Sequence, residues 1–299
     1  MSPEPHTLRW YWTLYKQSDH WLGDLSVGLQ GLSDMTRLQR TGLIESLLFE
    51  NGEKRFAVMT RKVIKEEMKA RTPSQPGNLL SALRGMIRWM IDEHHLDEDD
   101  DPTIGLRSGK AKASRESGGF LPWTEEDMAL YRAKWPLGTE ARLMFDILHY
   151  TFLRLGDAHL FGPPHLRQIV RKMAVQIATE KSQGNTTVTV PVHPEFAESL
   201  RAARAAGIIG AEVFTGKVLK RRVLPMNKKA WAMKFKKYAV LAGVNESKKS
   251  CHGVRKARAE VAAYADCTES QMMAMFGWTD PKMPAHYSAK ANREKLGMT

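Results

Sequence analysis

The chain has 299 residues, 42% of them hydrophobic, and 45 Lys and Arg against 33 Asp and Glu give a formal charge of +12. That length suggests about two domains, and that apolar content excludes a largely disordered chain. No run approaches the ~18 consecutive apolar residues of a membrane span. Residues 1–20 lack the basic-then-apolar pattern of a secretory signal. Two cysteines, Cys251 and Cys267, are too few for a disulfide scaffold or a four-cysteine zinc site and fit a reducing, cytoplasmic setting.

The first third reads as helical. Trp10, Tyr11, Trp12 and Trp21 predict an extra N-terminal helix that packs on a bundle, with a subunit contact as the alternative. Met35 to Phe49 has apolar residues near helical spacing and stops at Asn51-Gly52. A further helix is expected from about Glu53 to Ala70. After the loop Thr72 to Gly77, Leu79, Leu80, Leu83, Met86, Ile87, Met90 and Ile91 form a strong helical stripe that closes at the acidic run Asp97 to Asp101. Helices without a clear strand predict a small all-α bundle over 1–104. Residues 105–119, rich in Gly, Ser, Lys and Arg and without periodicity, read as a linker.

A second domain over 120–299 opens at Leu121-Pro122-Trp123-Thr124, where Thr124 is a helix N-cap with Asp127 three residues on. A helix is expected from Thr139 to Phe152. Met173 to Thr179 and Thr186 to Val192 flank the turn Ser182-Gln183-Gly184-Asn185 and predict a hairpin. Helices follow over Pro194 to Ala206, Asn227 to Ala242, His252 to Tyr264 and Ser270 to Phe276, with about two turns more at Lys290 to Leu296. The domain is therefore mixed α/β, mostly helical, with one small antiparallel sheet.

The charge is uneven. Residues 201–250 hold 13 Lys and Arg against 2 Asp and Glu, an asymmetry that points to a polyanion partner. The patch includes Lys217, Lys220, Arg221 and Arg222, then Lys228, Lys229, Lys234, Lys236 and Lys237. Trp231, Phe235, Tyr238 and Leu241 form the apolar stripe of the helix carrying the second group, which assigns those aromatics to a core.

Four short segments carry chemistry: Thr151-Phe152-Leu153-Arg154-Leu155-Gly156-Asp157, Lys181 at the hairpin, His252-Gly253-Val254-Arg255, and Gly277-Trp278 followed by Tyr287. Singly, each has an ordinary structural reading: a salt-bridged Arg, a solvated Lys, a chance tetrapeptide, a packed Tyr. Together, Arg154, Lys181, His252, Arg255, Trp278 and Tyr287 resemble, in order and spacing, the active-site signature of the tyrosine recombinases, the phage-integrase family. Trp278 takes the place where many members carry His. The interval from Arg154 to Lys181 contains Gly162-Pro163-Pro164 and is a few residues longer than in close relatives, which keeps Lys172 as the other candidate lysine. The N-terminal part resembles the family's helical, SAM-like core-binding domain, and Leu121 to Thr124 the start of its catalytic domain.

The resemblance implies a site-specific recombinase that cleaves and rejoins DNA through a 3′-phosphotyrosine, with no metal, ATP or cofactor. Tyr287 would be the nucleophile. Arg154 and Arg255 would fork onto the phosphate oxygens, with Asp157 orienting Arg154. His252 would handle a proton, Lys181 would protonate the leaving oxygen, and the Trp278 indole would donate one hydrogen bond. The implied partners are double-stranded attachment sites, further copies of the chain in a tetramer on DNA assembled from a monomeric free form, a directionality factor and a host DNA-bending protein. Lys220, Arg221, Arg222, Lys228 and Lys229 are the candidate phosphate contacts. Integration or excision of a prophage or genomic island is the leading expectation. A chromosome-dimer resolvase and a catalytically silent DNA-binding protein on the same fold are the alternatives.

Overall fold

The computed structural model describes residues 3–72, 75–107, 119–220, 222–246 and 248–297. The chain divides into two compact units, Met1–Gly119 and Phe120–Thr299. Most of the segment read as a linker, 108–118, and Arg221 lie outside the described residues.

The first unit is built from α1 (Leu8–Tyr15), α2 (Asp19–Leu22), α3 (Asp34–Asn51), α4 (Arg61–Lys69) and α5 (Gln75–Asp92). The N-terminal aromatics join its core: Trp12, Tyr15 and Trp21 pack with Ile44, Leu47, Leu80, Leu83 and Ile87, all buried. The helix expected over Glu53 to Ala70 is shorter. A single 3-10 turn at Phe56–Val58 precedes a break, and α4 starts only where the Thr60 side chain accepts from the Val63 N–H. The unit is not strictly all-α either, since β1 (Gly23–Asp24) pairs with β2 (Leu29–Gln30) in a two-residue ladder. Ordered packing extends past residue 104. Leu106 is buried in this core, and Arg84 donates to the Thr103 and Leu106 carbonyls.

The second unit begins with α6 (Glu125–Lys134), whose Thr124 and Asp127 form a reciprocal capping box. It continues through α7 (Glu140–Thr151), the single turn α8 (Leu155–Ala158), β3 (Leu166–Ile169), β4 (Lys172–Ala178), β5 (Thr187–Pro191) and α9 (Pro194–Ala205). β4 is central in an antiparallel three-stranded sheet, order β3-β4-β5, with Val175 opposite Val190 and Ile177 opposite Val188. The predicted hairpin is β4–β5; β3 was not anticipated. Nor was a second hairpin, β6 (Lys217–Leu219) with β7 (Arg222–Leu224). Then come α10 (Lys228–Leu241), α11 (Cys251–Tyr264), α12 (Glu269–Phe276) and α13 (Lys282–Leu296). The main core gathers Trp123, Tyr131, Phe145, Phe161, Phe196, Phe214, Trp231 and Phe235. Leu241, assigned above to the α10 stripe, is 53% exposed, and Ala239 takes the buried position. No helix among the described residues is long and apolar enough to cross a membrane.

Candidate active site

Arg154 and Arg255 meet at one turn of chain. α7 ends at Phe152 in the left-handed conformation (φ 56°), which releases the chain and sets Arg154 as the N-cap of α8. From there Arg154 Nη2 donates to the Gly277 carbonyl at 3.1 Å. Arg255, on the first turns of α11 and only 4% exposed, donates to the carbonyls of Phe152 and Phe276. Its guanidinium also lies over the Phe276 and Trp278 rings, at 5.1 and 5.8 Å. Burial first, then the like charge of Arg154, brings the Arg255 pKa down to about 9, which still leaves it cationic at neutral pH. Burial also lowers the pKa of Arg154, and Asp157 opposes that shift.

Gly277 makes this meeting possible. It caps α12 with φ +56°, and a Cβ there would lie 2.6 Å from Val188 Cγ2 and 3.6 Å from Arg154 Nη1. The chain emerges at Trp278, whose indole stacks between Phe276 (centroids 4.7 Å apart, 15° between planes) and Tyr287 (5.6 Å, 6°). Tyr287 is 8% exposed and belongs to a small cluster with Ala259, Ala262, Met272 and Phe276. Burial and then Glu260 raise its phenol pKa, while Arg255 pulls it back. α13, which carries it, is one helix of 15 residues and not the short C-terminal piece expected.

Two cavities adjoin Arg154. One, of about 380 Å³, is lined by Phe120, Arg154, Lys229, Lys236, His252 and Arg255 among others. The other, of about 110 Å³, has Arg154, Thr179, Lys181, Gly277 and Trp278 in its wall. Arg154 is thus shared: His252 and Arg255 lie on one side, Lys181 and Trp278 on the other. Tyr287 lines neither and sits behind Trp278.

His252 is exposed at the start of α11, with its ring 6.0 Å from that of Phe120. Its ring is nonetheless partly enclosed by the protein, and that partial burial holds its pKa below 6.5, with the charges of Arg255, Lys256 and Arg154 adding to the effect. Its segment is fixed by the entry to the unit. Leu121 N–H donates to the Lys248 carbonyl, Trp123 Nε1 to that of Ser250, and Lys256 Nζ to that of Phe120.

The lysine and the acid sit differently from expectation in one respect. Lys181 is in a 3-10 turn, Glu180–Ser182, between β4 and β5. Lys172 opens β4 and lines neither cavity. Asp157, 4% exposed, makes no ion pair with Arg154 among the described residues. Its Oδ1 accepts instead from the Glu180 N–H at 2.8 Å, so it ties down the lysine turn. Burial raises its pKa, against the Glu180 N–H and the two arginines.

Of the candidate phosphate contacts, Lys229 is exposed in the wall of the larger cavity, and Lys220 and Arg222 are exposed on the β6–β7 hairpin. Lys228 is engaged by Glu180 at 2.7 Å. Elsewhere in the patch, Lys234 pairs with Glu140 at 2.6 Å and Lys236 donates to the Glu246 and Lys249 carbonyls. Sequence reading placed Lys236 in the basic patch and missed Phe120 and Glu180. Only Glu180 carried a signal, its adjacency to Lys181.

No family model and no curated protein sequence matches the chain. Solved structures do. A lambda integrase tetramer bound to a Holliday junction matches with TM-score 0.71 and 16% identity, over 94% of this chain and 77% of that one. A Tn1549 transposon integrase in complex with transposon right end DNA gives 0.72 and 12%, over 97% and 99%. The XerH site-specific recombinase bound to a palindromic difH substrate gives 0.65 and 12%, over 98% and 84%. Mainly helical, with small antiparallel sheets and near-complete coverage, the chain carries the fold of the tyrosine recombinases.

Proposed function

We propose that this protein is a site-specific DNA recombinase that cleaves and rejoins DNA through a phosphotyrosine at Tyr287. One observation carries the reading: Arg154 joins two cavities that hold His252 and Arg255 on one side and Lys181 and Trp278 on the other, with Tyr287 stacked behind the indole.

The chemistry balances without a cofactor. The Tyr287 oxygen attacks phosphorus and its proton passes to His252, which is neutral near pH 7. The P–O5′ bond breaks and Lys181 donates a proton to the departing oxygen. Negative charge accumulates on the non-bridging oxygens, where guanidinium N–H groups of Arg154 and Arg255 not already committed to carbonyls bind it. Tyr287 is buried and its pKa raised, so its attack needs the proton removed as the O–P bond forms, the task given to His252. Religation is the reverse, with the 5′-hydroxyl attacking the phosphotyrosine.

The first unit would clamp the duplex as a core-binding domain, and Lys220, Arg221, Arg222 and Lys229 would hold phosphates. Paired-site recombination calls for a tetramer on DNA, and integration or excision of a mobile element is the role this reading favours. The test uses a nicked duplex from DNA flanking the gene. Wild type should give a covalent protein–DNA adduct on a denaturing gel, and Tyr287→Phe should bind the same duplex without one. An adduct from Tyr287→Phe would sink the assignment of the nucleophile, and binding without an adduct from wild type would favour the catalytically silent reading.

A further inference from the structure

Glu180 and Lys181 are neighbours on one 3-10 turn, and their side chains part company. Lys181 is exposed in the wall of the smaller cavity beside Arg154 and Trp278 and makes no ion pair among the described residues. Glu180 turns the other way. Both its carboxylate oxygens accept from Lys228 Nζ, each at 2.7 Å, at the first residue of α10. The carboxylate rests against Gly156 of α8, where any Cβ would overlap Glu180 Oε2. Its backbone N–H is held by Asp157. Glu180 is therefore anchored at both ends, to α8 through Asp157 and Gly156 and to α10 through Lys228.

We infer that Glu180 is a positioning residue: anchored to Lys228 and to α8, it orients the turn so that Lys181 faces Arg154 and the scissile phosphate. The anchoring has a second consequence. A carboxylate released next to Lys181 and Arg154 would compete with phosphate for both cations, and Lys228 keeps it away from them. The assignment deepens the recombinase reading and rests on it.

The pair is solvent-exposed, with 38% and 48% of the two side chains accessible, so it adds little to global stability. Glu180→Ala should fold and melt like wild type. At saturating nicked duplex, its single-turnover adduct formation should be slower by about ten- to a hundredfold, a share of what general-acid catalysis contributes. The DNA concentration for half-maximal rate should not rise, because an acidic group has been removed from a basic face. The decisive arm replaces the bridging 5′-oxygen with sulfur. A thiolate leaves without protonation, so a defect transmitted through Lys181 disappears on the sulfur duplex, where Glu180→Ala should match wild type within about threefold. Equal slowing on both duplexes, or no slowing on the oxygen duplex, overturns the assignment. Absence of an adduct from wild type overturns the recombinase reading and this assignment with it.

Discussion

Arg255 and Arg154 donate to the carbonyls of two consecutive residues, Phe276 and Gly277, at the C-terminal end of α12. A helix C-terminus carries partial negative charge, so it holds two mutually repelling guanidiniums together before any phosphate arrives. Arg255 spans the Phe152 and Phe276 carbonyls with its fork, and a lysine ammonium keeps the charge without that reach. Arg255→Lys is expected to lower stability by about 1–3 kcal/mol, for a buried carbonyl left unpaired. It should also slow adduct formation by about a hundredfold or more. Urea melts and single-turnover cleavage check the two parts separately.

Gly277→Ala tests the same turn without touching a charge. The left-handed φ and the 2.6 Å approach to Val188 Cγ2 both oppose a side chain. A cost of about 1–3 kcal/mol is expected from backbone strain alone, and the adduct yield should fall with it because Trp278 and both arginines hang on this residue. A thermal melt coincident with wild type would show that the turn is less constrained than described.

The pKa of His252 sets a pH dependence. It lies below 6.5, so the imidazole stays neutral, and able to take the phenol proton, to lower pH than an ordinary histidine. The rate of adduct formation should hold level from about pH 8 down to about 6.5 and fall below that. A fall centred above pH 7 would speak against His252 as the base.

His149 sets another, on stability. It is 6% exposed, stacked on Phe145, and its pKa is pushed down to about 2 by burial first and by Arg258 and Arg132 next. Below pH 6.5 the unfolded chain takes up a proton that the folded chain refuses. Stability is therefore lost as pH falls through that value, by up to about 1.4 kcal/mol per pH unit. His149→Phe should flatten the decline between about pH 6.5 and 5. Parallel declines for the two proteins would place its source in other groups.

Local signals made much of this legible in the sequence. The Thr124–Asp127 capping box, the α5 stripe and the β4–β5 alternation each act over a few residues, and each is present close to where it was predicted. The α13 start was missed although Pro284 is compatible with it. It occupies the first turn, where the missing N–H has no intrahelical partner in any case. The β6–β7 hairpin was missed because Val218 and Leu219 are both exposed, which leaves no burial alternation to read. The candidate site residues were chosen by order and spacing, and their neighbours were not legible. The Glu180 partners Asp157 and Lys228 are 23 and 48 residues away, and the Asp157 bond is to a backbone N–H that no side-chain pattern reveals.

α13 is fastened to α11 by Lys290 to Glu260 at 3.0 Å and by Tyr264 to Glu294, and to the turn after α11 by Lys295 to Asp266. The phenol and the guanidinium of Arg255 therefore ride on two helices of the same chain that are laced together. Moving Tyr287 away from Arg255 would mean breaking these contacts. On the recombinase function proposed above, a copy lacking the phenol would lose cleavage at the strand it holds itself, and a neighbouring copy could not supply it.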